Sequence, residues 1–350
     1  MILVLHAGAG FYPPSDESRV KASLKRACIH ALQECSQRSA EDVVAGAIAH
    51  LEDDESLNAG TGSNLTYEGA VECDASIMTG TGEFGGVGAV RGIKNPIRLA
   101  HQLLRDSRVR DPIGRSPPLT LVSTGAEKYA ASSSVTLTDE TSMITPKARE
   151  VWQSWREKRA LALANDQIES VPFDTVDPQD TVGAIAMSSD LSVAAGSSSG
   201  GILLKQSGRL GPAAVFGSAC WAQDDEGLAL ACSVSGNGEK IIRESFAREI
   251  GRSIGKLGDG DVHETLERLF QNIRFSGEGV GMILLTRETE DEHTIKHRLW
   301  CAFTTPCMAI AYCTSASHKP KAMILRQPKS VKSVYITCIP IPFEYNQIAS

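Results

Sequence analysis

Most marks of a membrane, nucleic-acid or nucleotide partner are missing from this chain of 350 residues. No apolar run approaches the roughly 20 residues that cross a bilayer. No basic field is available to a nucleic-acid backbone: 35 Lys and Arg stand against 42 Asp and Glu, for a net charge of −7 and a pI near 5.7. The turn glycines Gly8-Ala9-Gly10 and Gly86-Val87-Gly88 are followed by no GK[ST] and meet no GxGxxG register, so phosphate binding is not expected. There is no internal repeat and no CxxC. Nine scattered cysteines, an odd number, read as reduced thiols of a cytosolic or nuclear protein. Met1–His6 reads as a strand and lacks the basic region and cleavage site of a signal peptide.

What is present is enough for a sizeable core, with 42% hydrophobic and 22% charged residues. Strand Ile2–Leu5 runs into the glycine turn His6–Gly10. A helix is expected over Arg19–Glu34, with Val20, Leu24, Ala27, Cys28 and Ala31 on one face. A second runs over Ala40–Leu51, with Ser39 as N-cap and Asp42 completing a capping-box pattern. The glycine-rich loop Asn58–Asn64 follows, then strands over Ala70–Met78 and Gly86–Val90, a helix from Asn95-Pro96 to Arg105, and a strand over Leu119–Ser123.

From about Ala131 to Asp180 the pattern weakens to one helix, Lys147–Leu163, and a polar tail, expected to be a mobile linker. A hairpin then turns at Ser188-Ser189-Asp190 between Thr181–Met187 and Leu191–Ser198. Strands are expected at Ala213–Gly217, Leu228–Ser235, Val280–Leu285, Arg298–Phe303 and Ala309–Thr314, and helices at Glu239–Lys256 and Val262–Ile273. Strands and helices cluster in both halves. That favours an α+β fold of stacked sheets with helices outside.

The run Gln179-Asp180-Thr181-Val182-Gly183-Ala184 carries the chemistry. A threonine needs no histidine if its own α-amine is the base, because an α-amine of pKa about 7.7–8.0 is partly free at neutral pH. Thr181 must then become an N-terminus, by self-cleavage after Asp180. The remaining parts follow in sequence. Ser199 is a hydroxyl on the neighbouring hairpin strand, before Gly200-Gly201. Arg209, in Gly208-Arg209-Leu210-Gly211, suits a carboxylate. Ser235-Gly236-Asn237-Gly238-Glu239 puts a hydroxyl and backbone N–H groups at a strand-to-helix junction. His6 reads as a turn-fixing residue. His293 and His297 mimic a metal spacing but sit in the charged run Arg287–Arg298, read as a solvated loop, so no metal site is expected. The basic residues Lys147, Arg149, Arg156, Lys158 and Arg159 read as a solvated helix face.

The segments HAGAG (6–10), LEDDESLNAGTGSNL (51–65), VECDASIM (71–78), GIKNP (92–96), DTVGAIAM (180–187), SSGG (198–201), GRLGPAAVFG (208–217), CW (220–221), SGNGE (235–239) and LWCAFTTPCMAIAY (299–312) together resemble the asparaginase type 2 family of N-terminal-nucleophile hydrolases. Within it they are most similar to the threonine aspartase branch, endopeptidases that cut proteins after aspartate. The resemblance implies a four-layer αββα sandwich. It implies an α piece, 1–180, and a β piece, 181–350, held as a heterodimer and paired into a dimer of heterodimers, without a cofactor.

By position it implies Thr181 as nucleophile, Ser199 beside its amine, Arg209 on the substrate's acidic side chain, and Ser235 and Gly236 at the oxyanion and substrate position. Two readings of Asn58 stay open: approach to the nucleophile, or a loop-stabilising turn residue. The loop Leu51–Thr61 matches one that holds a sodium ion in small asparaginases; none is expected here. Small asparaginases carry Gly-Thr at the cut, and an aspartate for the substrate's α-amino group where this chain has Pro212. Those departures point to a protein substrate with aspartate before the cut. The alternative is an isoaspartyl peptidase or L-asparaginase. A scaffold that never matures is a third reading.

Overall fold

The computed structural model describes residues 1–35, 39–164, 181–188, 190–225, 227–258, 260–274, 279–291, 294–317, 319–328 and 333–342. The apolar opening becomes a central strand, β1 (Ile2–Gly10), buried on both faces. Leu3 and Leu5 join a core beneath helices, while Ile2 and Val4 join a core between two sheets. Side chains alternate across a strand, so two covered faces give one continuous apolar run.

Eight strands form the first sheet. They are β1, β2 (Cys73–Thr79), β3 (Phe84–Val90), β4 (Thr120–Val122), β5 (Val182–Met187), β6 (Val193–Ser199), β11 (Cys307–Thr314) and β12 (Lys321–Arg326). Their spatial order is β12-β11-β1-β5-β6-β2-β3-β4. Neighbours run antiparallel except the parallel pair β3–β4. The second sheet, in order β13-β10-β9-β8-β7, contains β7 (Cys220–Asp225), β8 (Leu228–Gly236), β9 (Val280–Asp291), β10 (Thr294–Phe303) and β13 (Tyr335–Pro340).

Helices α1 (Glu17–Cys35), α2 (Ala40–Glu52), α3 (Pro96–Ser107) and α4 (Ser123–Ala131) cover the first sheet through Leu24, Val44, Ile48, Ala100 and Ala126. Helices α6 (Gly238–Glu244), α7 (Phe246–Gly255) and α8 (Val262–Arg274) cover the second through Ile241, Phe246, Ile250 and Phe270. Between the sheets lie Ile2, Val4, Ile185, Ala195, Ala231, Ile283 and Phe303. The architecture is the αββα sandwich.

The capping of α2 is half of the expected box. Ser39 Oγ accepts from the Asp42 N–H at 3.3 Å and also donates to Asp42 Oδ2 at 2.9 Å, and no return bond from the carboxylate to the Ser39 N–H is made among the described residues. Some expectations fail. Ala213–Gly217 is not a strand, because Pro212 starts a short 3-10 turn, Pro212–Ala214, with fixed φ and no N–H to give a ladder. The helix expected over Glu239–Lys256 breaks at Ser245, whose φ of 46° is left-handed, into α6 and α7.

The charged run Arg287–Arg298 is not a solvated loop but the end of the β9–β10 hairpin. Among its described residues, Arg287 bonds Asp224 at 2.7 Å, and Arg298 pairs with Glu288 on the diagonal. His297 is buried there, and His293 lies outside the described residues. Helix α4 and strands β7, β12 and β13 carry too little periodicity to be seen in sequence. Helix α5 (Pro146–Ala164) spans the one expected in the linker, with no residue buried along it. It is tied down by Trp152, whose Nε1 donates to Thr66 O at 2.8 Å. Arg156 and Arg159 of its basic set stack on Tyr67. The linker's tail and Asp180 lie outside the described residues.

Candidate active site

Strand register builds the centre of the site. Val182 pairs with Ser198, so Thr181, one residue earlier, stands level with Ser199. Asp74 on β2 pairs with Ser199 from the other side. Three polar side chains therefore share one face of three adjacent strands, all buried. The Thr181 hydroxyl donates to Ser199 Oγ at 3.3 Å, which also accepts the Gly201 N–H at 3.0 Å.

Asn58 knits the loop to the end of β6. Its Nδ2 donates to Gly201 O at 2.9 Å, its Oδ1 accepts the Asn64 N–H at 2.9 Å, and its carbonyl accepts the Gly200 N–H at 2.8 Å. Every one of these bonds is to backbone, so Asn58 shapes the segment beside Thr181 and Ser199. A Cβ on Gly200 would lie 2.3 Å from Asn58 Oδ1, which is why that position is glycine.

Arg209 arrives on the turn after β6. Asp74 Oδ2 accepts the Gly211 N–H at 2.7 Å and Oδ1 accepts the Ala89 N–H at 2.8 Å, so one buried carboxylate pins that turn to β2 and β3. Burial pushes the Asp74 carboxyl above its ordinary range, against the pull of Lys205 and these N–H donors. The Arg209 guanidinium lies between Gly201, Gly211 and Gly238; Cβ atoms there would come within 3.2, 3.0 and 2.6 Å of its nitrogens.

Ser235 and Gly236 end β8. Ser235 Oγ accepts the Ala9 N–H at 3.3 Å, and no bond joins it directly to Thr181 among the described residues. Gly236, at φ +139°, leads into the Asn237 cap of α6; a Cβ there would strike Gly279 O at 2.3 Å.

His6 is not a base. Its Nε2 meets Ser233 Oγ at 2.9 Å, and Nδ1 accepts the Gly8 N–H at 3.2 Å. Burial pushes its pKa down to about 3, opposed by a hydrogen bond with the Thr181 backbone, so the ring stays neutral and ties the two sheets.

The asparaginase family model matches residues 1–317 of this chain. The chain belongs to the asparaginase family. Isoaspartyl peptidase/L-asparaginase of Xenopus laevis is 30% identical over 298 residues, 83% of this chain and 87% of the relative. The bovine protein of the same description is 30% identical over 317 residues, 88% and 92% of the two chains. Plant-type L-asparaginase of Pyrococcus abyssi is 33% identical over 254 residues, 70% and 77% of the two. The fold and the N-terminal-nucleophile class follow from membership.

As a family member, this chain shows three site residues that sequence reading passed over. Lys205 is buried and donates to Glu72 O at 2.6 Å and Gly200 O at 2.8 Å, holding the strand end from beneath. Asp74 positions the Arg209 turn. Glu239 meets Arg209. Their only sequence signal was a charged residue inside an apolar or glycine-rich run.

Several carbonyls of the loop Leu51–Thr61 serve the protein's own donors. The carbonyls of Leu51, Glu52, Asp54, Asn58 and Gly60 already accept protein donors, at 3.2, 2.9, 3.0, 2.8 and 2.8 Å. Among the described residues no cluster of three His, Cys, Asp or Glu side chains is placed to hold a metal ion. No described helix is long and apolar enough to cross a membrane.

Proposed function

We propose that this family member is an autoprocessing threonine hydrolase whose substrate is an aspartyl residue within a polypeptide. Thr181 Oγ attacks the Asp180 carbonyl, its nitrogen leaves as the amine, and water releases the ester, giving pieces 1–180 and 181–350. The freed amine of Thr181 is then the base for its own hydroxyl. Ser199 holds that hydroxyl, Arg209 takes the substrate's carboxylate, and Ser235 and Gly236 lie where an oxyanion is received. The two pieces stay together, because β5 pairs with β1 of the other piece on one side and β6 pairs with β2. A pair of such heterodimers is the assembly expected.

The observation that carries this reading is Pro212. It is buried in the 3-10 turn after Arg209, and a Cβ on Gly238 would lie 2.9 Å from its ring. A proline there offers no anion to a free α-amine, whereas a residue inside a polypeptide has none to satisfy. The second reading, isoaspartyl peptidase/L-asparaginase, is the one that the relatives' names favour.

One experiment separates them. Purified protein and Thr181→Ala are examined by intact mass and N-terminal sequencing, then offered L-asparagine, a β-aspartyl dipeptide and peptides with internal aspartate. The expected result is two pieces, one starting Thr-Val-Gly-Ala, an uncut variant, and cleavage only after internal aspartate. Rapid turnover of asparagine or the dipeptide establishes the second reading. A single chain in both proteins removes self-processing and leaves a scaffold.

A further inference from the structure

We propose that Glu239 is an internal stand-in for the substrate's carboxylate, occupying Arg209 in the empty site and setting how strongly the site selects an acid. Arg209 Nε and Nη2 donate to Glu239 Oε1 at 2.9 and 2.7 Å, and Nη2 also reaches Oε2 at 2.7 Å. One edge of the fork is thereby taken. Nη1 makes no hydrogen bond among the described residues and lies beside Gly201 and Gly211, next to the Ser199 strand end. That is the edge left for a ligand.

The two partners are held very differently. The Arg209 side chain is 14% exposed and the Glu239 side chain 54%. The guanidinium is wedged among three glycines, on a turn pinned by Asp74. Glu239 is thus not needed to place it. Glu239 sits in the first turn of α6 with its carboxylate half in water, so it can rotate away while Arg209 stays.

An incoming carboxylate on Nη1 must either displace Glu239 or bind beside it against like-charge repulsion. Both routes weaken the binding of an acid and leave a neutral side chain untouched. Glu239 is therefore a specificity-determining residue, and with the nearby Asp74 it offsets the charges of Arg209 and Lys205 while the site is empty. This rests on Arg209 receiving a carboxylate, which both readings of the substrate require.

The test uses processed native protein, Glu239→Gln, Glu239→Ala and Arg209→Ala. KM and kcat are measured with the acidic substrate that the native protein turns over, and Ki with succinate, at low and high salt. In both Glu239 variants KM and Ki are expected to fall about three- to tenfold, with kcat moving less, and the gain should shrink as salt screens the charges. Melting temperature and completeness of self-cleavage show that the variants fold. A rise in KM in both variants makes Glu239 a clamp that orients Arg209 and overturns the proposal; so does no change. If succinate fails to inhibit the native protein and Arg209→Ala leaves KM untouched, Arg209 is not a carboxylate site, and the reading beneath the proposal falls first.

Discussion

At the candidate nucleophile, Thr181, just before β5, stands level with Ser199 on β6 and Asp74 on β2, and the side-chain oxygens of all three are hydrogen-bonded. At the anchor, Arg209 rides on a turn and meets a glutamate half in water. The first end is made of sheet register and tolerates no added atom. The second is made of a turn and an ion pair, and one of its members is free to move. Under the proposed roles the difference separates chemistry from selection: proton transfer needs fixed distances, while discrimination among substrates needs only a shifted balance of charge.

The largest effect expected at the rigid end is that of Ser199→Ala. It removes the oxygen that accepts both the Thr181 hydroxyl and the Gly201 N–H. Turnover should fall about 10²- to 10⁴-fold with little change in KM, measured on the fraction that has processed. A loss confined to KM would mean that Ser199 holds substrate instead.

Added volume tests the same contrast more mildly. Gly200→Ala places a methyl 2.3 Å from Asn58 Oδ1 and 2.5 Å from Ser63 Cβ. It should lower stability by about 1–3 kcal/mol in denaturant unfolding. At Gly208, on the anchor turn, a Cβ meets nothing within 4 Å, and only the φ of +83° resists it. Gly208→Ala should therefore cost less; equal costs would remove the distinction between a packed end and an open one.

The smallest effect lies beside Ser198, at Glu52. Glu52 is fully buried; Oε1 accepts the Ser198 hydroxyl at 2.6 Å and the Ile97 N–H at 3.0 Å, while Oε2 has no hydrogen-bond partner among the described residues. Burial pushes its pKa from 4.5 up to about 8, so it is a neutral acid at pH 7. The folded carboxyl keeps its proton where the unfolded one has lost it. Its contribution to stability is thus whole below pH 4.5 and is lost as pH rises through about 8. Relative to Glu52→Gln, which does not titrate, the native protein should lose on the order of 1 kcal/mol between about pH 7 and 8. Parallel unfolding curves would show that Glu52 is already ionised.

Much of this was legible in the amino-acid order. The two-sided apolar run of β1, the periodic faces of α1 and α2, and the glycine motifs located the layers and named Thr181 as the candidate nucleophile. What stayed hidden has physical causes. Ser245 carries no breaker signature, yet its left-handed backbone divides α6 from α7. The charges of Arg287–Arg298 read as solvated because pairing across a hairpin is not periodic along a chain. Asp74 and Lys205 carry no role in the sequence reading, since what they hold lies far away along the chain.

The sequence by itself determined the layers, the candidate nucleophile and the family, because these follow from local patterning and motifs kept in order along the chain. Only the tertiary structure decided which groups meet. Whether Thr181 stands level with Ser199, whether His6 is neutral, and whether Arg209 is free or taken depend on register, burial and facing partners. Those are set when strands distant in sequence are laid side by side and water is removed from between them.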